Sequence, residues 1–191
     1  MKLNMTNKKK VFILHGWGDF YNKGWFPWLK KELEKKGFLA ESLNMIPQPP
    51  LLNKWLAILK KEVNNPDKGT YFVGHSAGVQ TILHYLQELK EGIEVGGFII
   101  VAGWTDDLGM DELKNFFENE LDWEKVKIHC KNFIVIYSDD DPYVKQYHAE
   151  IFKEKLGARL ILDKRKKHFS HEEGINELPS ALKAVLELAK K

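Results

Sequence analysis

The chain of 191 residues carries one cysteine, Cys130. A single cysteine excludes an intramolecular disulfide and a cysteine metal cluster, and it is compatible with a reducing compartment. Long hydrophobic runs are missing as well. No segment approaches the roughly 20 apolar residues of a membrane-spanning helix. The start, Met1 to Lys10, is polar and basic, and the apolar run after it, Val11 to Leu14, is too short for the core of a signal peptide. A cytoplasmic protein without a membrane partner is the expectation.

Charge of one sign is also scarce. The 29 Lys and Arg residues nearly balance the 27 Asp and Glu, leaving a net charge of +2. Lysines occur in runs such as Lys30-Lys31-Glu32 and Lys60-Lys61-Glu62, mixed with acids, as on solvated helix faces. No basic patch is present, so no nucleic-acid partner is expected. G-x-G-x-x-G and Walker sequences are absent, which argues against a nucleotide-binding fold. No repeat, low-complexity stretch or linker divides the chain. Residues 1–191 are therefore expected to form a single domain, long enough to bury a core.

What is present is an alternation of short apolar runs with amphipathic stretches. Val11 to Leu14, Thr70 to Val73, Gly97 to Ala102 and Phe133 to Tyr137 read as buried strands, with weaker strands at Phe38 to Leu43 and Arg159 to Leu162. Leu52, Trp55, Leu56, Leu59 and Val63 fall on one helical face; further helices are expected at Trp28 to Leu33, around Pro142 to Leu156, and near Leu182 to Ala189. Gly37 is the stop signal of the first of these helices. Such alternation predicts an α/β fold with a parallel sheet covered on both faces. The stretch 104–123 is longer than a crossover needs, and reads either as a helix under the sheet edge or as a small lid.

Gly74-His75-Ser76-Ala77-Gly78 lies between the run Thr70 to Val73 and a helical pattern through Val79, Ile82, Leu83 and Leu86. G-x-S-x-G between strand and helix is a nucleophile elbow, with the serine hydroxyl raised above the sheet on a strained turn. The glycines leave room for backbone to pass close by. A serine hydroxyl is a weak nucleophile alone and needs a base, oriented by an acid. In this fold the chain order is Ser, then Asp or Glu, then His, on loops after strands. Of the histidines beyond Ser76, His84 falls inside the elbow helix, His129 precedes a strand, and His148 lies on a helical stretch. His168 and His171 sit in the loop after the last strand, where the base belongs. The acid belongs to Asp139-Asp140-Asp141, which closes the run Phe133 to Tyr137; an aspartate before Pro142 also reads as a helix N-cap. For the oxyanion hole the candidate backbone N–H donors are Ala77, next after the serine, and Trp17, in the loop His15-Gly16-Trp17-Gly18. His15 reads as a hydrogen-bonded loop histidine.

These residues carry a resemblance. The elbow, Gly24-Trp25-Phe26-Pro27-Trp28-Leu29, Thr105-Asp106-Asp107-Leu108-Gly109, Trp123-Glu124-Lys125-Val126, Asp140-Asp141-Pro142-Tyr143 and His168-Phe169, in that order and spacing, resemble the small serine hydrolase family. That family includes the retinoblastoma-binding hydrolase and short bacterial relatives, a compact branch of the α/β-hydrolases. The resemblance implies Ser76 as nucleophile, Asp141 as acid and His168, not His171, as base. It implies a three-layer α/β/α sandwich with about six strands in the order 2-1-3-4-5-6. Lys167 departs from the family's usual glycine before the histidine, adding charge and removing flexibility there. The Leu-x-Cys-x-Glu motif of pocket-protein binding is missing, with Asn64-Asn65-Pro66 in that region, so no retinoblastoma-type partner is expected.

The expected function is a serine hydrolase acting on a small-molecule ester or amide through an acyl-enzyme, as a monomer with no metal or organic cofactor. A short lid and aromatic surroundings would suit a small or medium acyl group. The alternative is a hydrolase-like binding module with an idle triad, whose ligand groove is lined by aromatics such as Trp17, Phe20, Trp25, Trp104, Phe116 and Phe117.

Overall fold

The computed structural model describes residues 8–190. Along the chain run β1 (Lys10–Leu14), α1 (Trp25–Lys35), β2 (Leu39–Leu43), α2 (Leu52–Glu62), β3 (Thr70–His75), α3 (Ala77–Gln87) and β4 (Gly97–Val101). After a short 3-10 helix (Asp111–Phe116) come α4 (Trp123–His129), β5 (Phe133–Tyr137), α5 (Gln146–Leu156), β6 (Arg159–Leu162) and α6 (Pro179–Leu188). The six strands form one sheet in the order β2-β1-β3-β4-β5-β6, parallel throughout, as the resemblance implies.

The continuous apolar runs follow from burial on both faces. Val11, Ile13, Tyr71, Val73, Ile99, Val101, Ile134 and Ile136 point to one side, where Trp25, Phe26, Leu29 and Leu33 of α1 and Ala181, Ala184 and Val185 of α6 cover them. The alternate residues, Phe12, Leu14, Phe72, Phe98, Ile100, Phe133 and Val135, meet a second core with Trp55 and Leu59 of α2, Val79, Ile82 and Leu83 of α3, and Phe152 of α5. A side-chain period of two with two buried faces removes the polar alternation that a one-sided sheet would show. Burying one such side chain is worth about 1.5–3 kcal/mol.

Two segments differ from expectation. The helix expected around Pro142 to Leu156 begins only at Gln146, because the chain bends through residues 142–144. The aspartate-before-proline signal is thus not the N-cap of α5, whose N-cap position is Lys145. The long stretch after β4 is neither a regular helix under the sheet edge nor a plain crossover. It contains the 3-10 helix with Leu113 and Phe116 buried, and is followed by α4, a helix additional to those expected.

Strand order positions the site. The chain passes from β1 outward to β2, then returns to the other side of β1 with β3, so a crevice opens at the carboxyl ends of β1 and β3. The loop after β1 and the turn after β3 meet there.

Candidate active site

Ser76 occupies the turn between β3 and α3 with φ 51° and ψ −119°. A non-glycine residue at positive φ costs of order 1–3 kcal/mol and is held only where its surroundings demand it. Here the Ser76 N–H donates to Val101 O of β4 at 3.0 Å, and Val79 N–H donates to Ser76 O at 2.9 Å. The elbow also presses against the end of β1. A Cβ on Gly78 would lie 2.7 Å from Leu14 O and 2.8 Å from His15 O, so the second glycine of the motif is required by close backbone approach.

Ser76, Ala77, Trp17 and His168 line one cavity of about 590 Å³. Its lining includes the apolar Leu108, Met110 and Leu113 from the segment after β4 and the polar Asp19, Ser170, Glu172 and Glu173. Three residues of the segment 104–123 thus share this cavity with Ser76.

Asp141 and His168 meet directly. His168 Nδ1 and Asp141 Oδ2 are 2.9 Å apart, with both side chains largely buried. The other oxygen, Asp141 Oδ1, accepts the backbone N–H groups of Tyr143 and Val144, each at 2.9 Å. The carboxylate therefore cannot rotate freely, and its second oxygen is committed to the imidazole. That bond makes Nδ1 the protonated nitrogen and leaves Nε2 as the acceptor. Tyr143 packs edge-on against the His168 ring at 5.2 Å.

The adjacent acids have separate tasks. Asp139 Oδ1 accepts Arg165 N–H at 2.8 Å, and Asp140 Oδ1 accepts Lys167 N–H at 2.8 Å and the Ser138 hydroxyl at 2.7 Å. Ser138 Oγ in turn accepts Lys166 N–H at 2.9 Å. The Ser138 bond, then the Lys167 amide, hold the Asp140 carboxyl below the usual carboxylate range. Together these bonds clamp a loop whose backbone is left-handed at Arg165 (φ 58°), Lys167 (φ 46°) and Phe169 (φ 61°). Lys167 stands in a conformation that glycine adopts without cost.

His171, the competing base in sequence, is turned elsewhere. Its Nδ1 lies 2.6 Å from Asp19 Oδ1, an acid of the loop after β1. Asp19 Oδ2 faces His75 Nδ1 at 3.4 Å, both side chains being buried. His75 Nε2 donates to His168 O at 2.7 Å. Burial first, then the neighbouring His168, push the His75 pKa down to about 4, so the ring is neutral. Neither Asp19 nor His75 was singled out in the sequence, where both look like ordinary members of the first loop and the elbow. The remaining histidines are accounted for by local bonds. His15 bonds Gly16 O through Nδ1 at 2.8 Å and accepts Met45 N–H at Nε2 (3.0 Å), the loop histidine expected. His84 and His129 bond Phe116 O and Ile93 O, and His148 accepts Thr105 N–H.

Cys130 is buried, and burial pushes its thiol up to about 12, which removes it as a nucleophile. Among the described residues no group of three or more His, Cys, Asp or Glu could hold a metal ion, and no helix is long and apolar enough to cross a membrane. Of the aromatics expected to line a groove, Trp25, Trp104 and Phe116 are fully buried core, whereas Trp17, Phe20 and Phe117 are exposed.

The sequence profile of the serine hydrolase family matches residues 11–187. The chain belongs to the serine hydrolase family. It is 34% identical over 174 residues to YdeN of Bacillus subtilis (strain 168), covering 90% of this chain and 91% of that protein. It is 30% identical over 189 residues to the serine hydrolase RBBP9 of Rattus norvegicus, covering 95% and 98% of the two chains. The crystal structure of the Bacillus subtilis ydeN gene product superposes with a TM-score of 0.90 at 33% identity, covering 96% of this chain and all of that one. Est1E of Butyrivibrio proteoclasticus, at 15% identity and a TM-score of 0.74, shares the fold. Membership of the serine hydrolase family makes hydrolysis the reaction class.

Proposed function

We propose that this serine hydrolase cleaves carboxylic esters or amides of small molecules through an acyl-enzyme on Ser76, with His168 as base and Asp141 as its orienting acid. The observation that carries the reading is the Asp141–His168 contact at 2.9 Å, beside a cavity that also holds a strained serine. His168 Nε2 takes the Ser76 proton as Oγ attacks the carbonyl carbon. The carbonyl π electrons move to oxygen, and the N–H groups of Ala77 and Trp17 receive that oxyanion. Collapse of the tetrahedral adduct expels the leaving group, which takes the proton from His168. Water, activated by the same histidine, then releases the acid. Asp141 holds the imidazole in the required tautomer and stabilises the imidazolium.

The apolar lining by Leu108, Met110 and Leu113 favours a small or medium apolar acyl group, and segment 104–123 acts as a lid over it. Fluorophosphonate labelling tests the reaction: the native protein is labelled and Ser76→Ala is not. Absence of labelling in a folded native protein, or equal labelling of the variant, refutes the proposal. Turnover across p-nitrophenyl esters of increasing chain length, with aminoacyl amides in parallel, tests the substrate class. A preference for long chains counts against the small-acyl reading.

A further inference from the structure

Trp104 opens segment 104–123 and is fully buried. A buried indole N–H needs an acceptor, and this one donates to Ser76 Oγ at 3.2 Å. The fold takes trouble to place it. β4 leaves the sheet through Ala102 at φ 46°, a left-handed residue whose N–H is tied to Ile136 O at 3.0 Å. At Gly103 a Cβ would lie 2.5 Å from Ile100 Cγ2 and 3.0 Å from Phe152 Cε2, so only glycine lets the chain turn there. Gln80 Nε2 then holds the Trp104 carbonyl, and Phe116 packs edge-on to the indole at 5.5 Å with Phe117 at 5.8 Å. Ring, backbone and preceding turn are all constrained, and their common result is an N–H aimed at one hydroxyl oxygen.

We propose that the Trp104 indole is a further catalytic residue, donating to the nucleophilic oxygen of Ser76 through the reaction. This rests on Ser76 being the nucleophile. An indole nitrogen donates and never accepts. With one Oγ lone pair bound by Trp104, the hydroxyl proton cannot point at the indole and is left for an acceptor in the cavity, His168 Nε2. During acylation the Oγ–C bond forms while the Oγ proton passes to His168. During deacylation the C–Oγ bond breaks, its electron pair returns to Oγ, and His168 gives the proton back. Oγ carries most negative charge just before the first event and just after the second. A donor to a charged oxygen is worth more than one to a neutral hydroxyl, so Trp104 favours these moments over the resting state. The indole keeps its own proton throughout.

Trp104→Phe removes the N–H and keeps one aromatic ring, smaller than the indole, against Phe116 and Phe117. Expected results are a fall of about ten- to a hundredfold in fluorophosphonate labelling rate and in kcat for p-nitrophenyl acetate, with KM within about twofold. Unchanged labelling and kcat overturn the proposal. A second readout needs no variant at Trp104 and no turnover. The Trp104 indole 1H–15N resonance should shift in Ser76→Ala and on phosphonylation of the native protein; an unmoved resonance overturns the proposal even if Trp104→Phe is poorly folded. Should the native protein itself be inert to the probe, the hydrolase reading falls and takes this one with it. A reactive native protein with an equally reactive Trp104→Phe refutes the role of Trp104 alone.

Discussion

His75 Nε2 donates a hydrogen bond to the backbone carbonyl of His168 at 2.7 Å, across 93 residues of chain. The residue before the proposed nucleophile therefore ties down the loop that bears the proposed base. Rings of the two histidines lie 5.0 Å apart, and His75 is also flanked by Trp25 and Phe26 of α1. Replacing His75 by Phe fills the space but leaves His168 O without its donor. Stability should fall by about 1–3 kcal/mol, as for an orphaned buried acceptor, and kcat by about tenfold through a looser base. Urea unfolding and steady-state kinetics check both. Unchanged kcat would show that the loop clamp from Asp139 and Asp140 suffices alone.

Acid should weaken the fold. His75 has a folded pKa of about 4 against 6.5 when unfolded, so the unfolded chain binds the proton first. Its stabilising contribution is complete above pH 6.5 and is lost as pH falls toward 4, by up to about 1.4 kcal/mol per pH unit. Burial lowers His15, His84 and His148 in the same direction. Urea midpoints at pH 7.5 and pH 4.5 should show a clear drop, and His75→Phe should make it smaller. An equal drop in both proteins would assign the acid sensitivity elsewhere.

Three adjacent aspartates should separate by kinetics. Asp141→Asn removes the charge behind His168 and offers its ring the wrong hydrogen-bonding partner, so kcat should fall about 10³–10⁴-fold with little change in KM. Asp139→Asn and Asp140→Asn keep an acceptor oxygen for the Arg165 and Lys167 amides, and should retain kcat within about tenfold. Equal losses in all three variants would mean that loop order, not orientation of the imidazole, limits the reaction.

Lys167→Gly is expected to be tolerated or stabilising. An L-residue in the left-handed region costs about 1–2 kcal/mol, which glycine avoids. Glycine's greater freedom in the unfolded chain returns about 0.5–1 kcal/mol of that. The net gain is about 0–1.5 kcal/mol, with kcat kept because the Lys167 N–H to Asp140 bond survives. A loss of stability on urea unfolding would show that the lysine side chain contributes to the loop.

Two properties were determined by the sequence itself. Apolar runs such as Val11 to Leu14 and Phe133 to Ile136 have no polar alternation, because both faces of their strands are covered, and that pattern is local enough to read directly. Gly74-His75-Ser76-Ala77-Gly78 likewise reports its own turn, since strand, motif and helix are contiguous. Partner choice was not local. Asp139, Asp140 and Asp141 were equivalent until a family resemblance separated them, as were His168 and His171. In the fold, Asp141 meets His168 across 27 residues while Asp19 takes His171 across 152. The same holds for Trp104, an aromatic among others until the left-handed turn at Ala102 aimed its N–H at Ser76. Hydrogen bonds between strand ends depend on which strands are neighbours and on the backbone sign at single loop residues. Residue periodicity encodes neither, so only the packed sheet decided them.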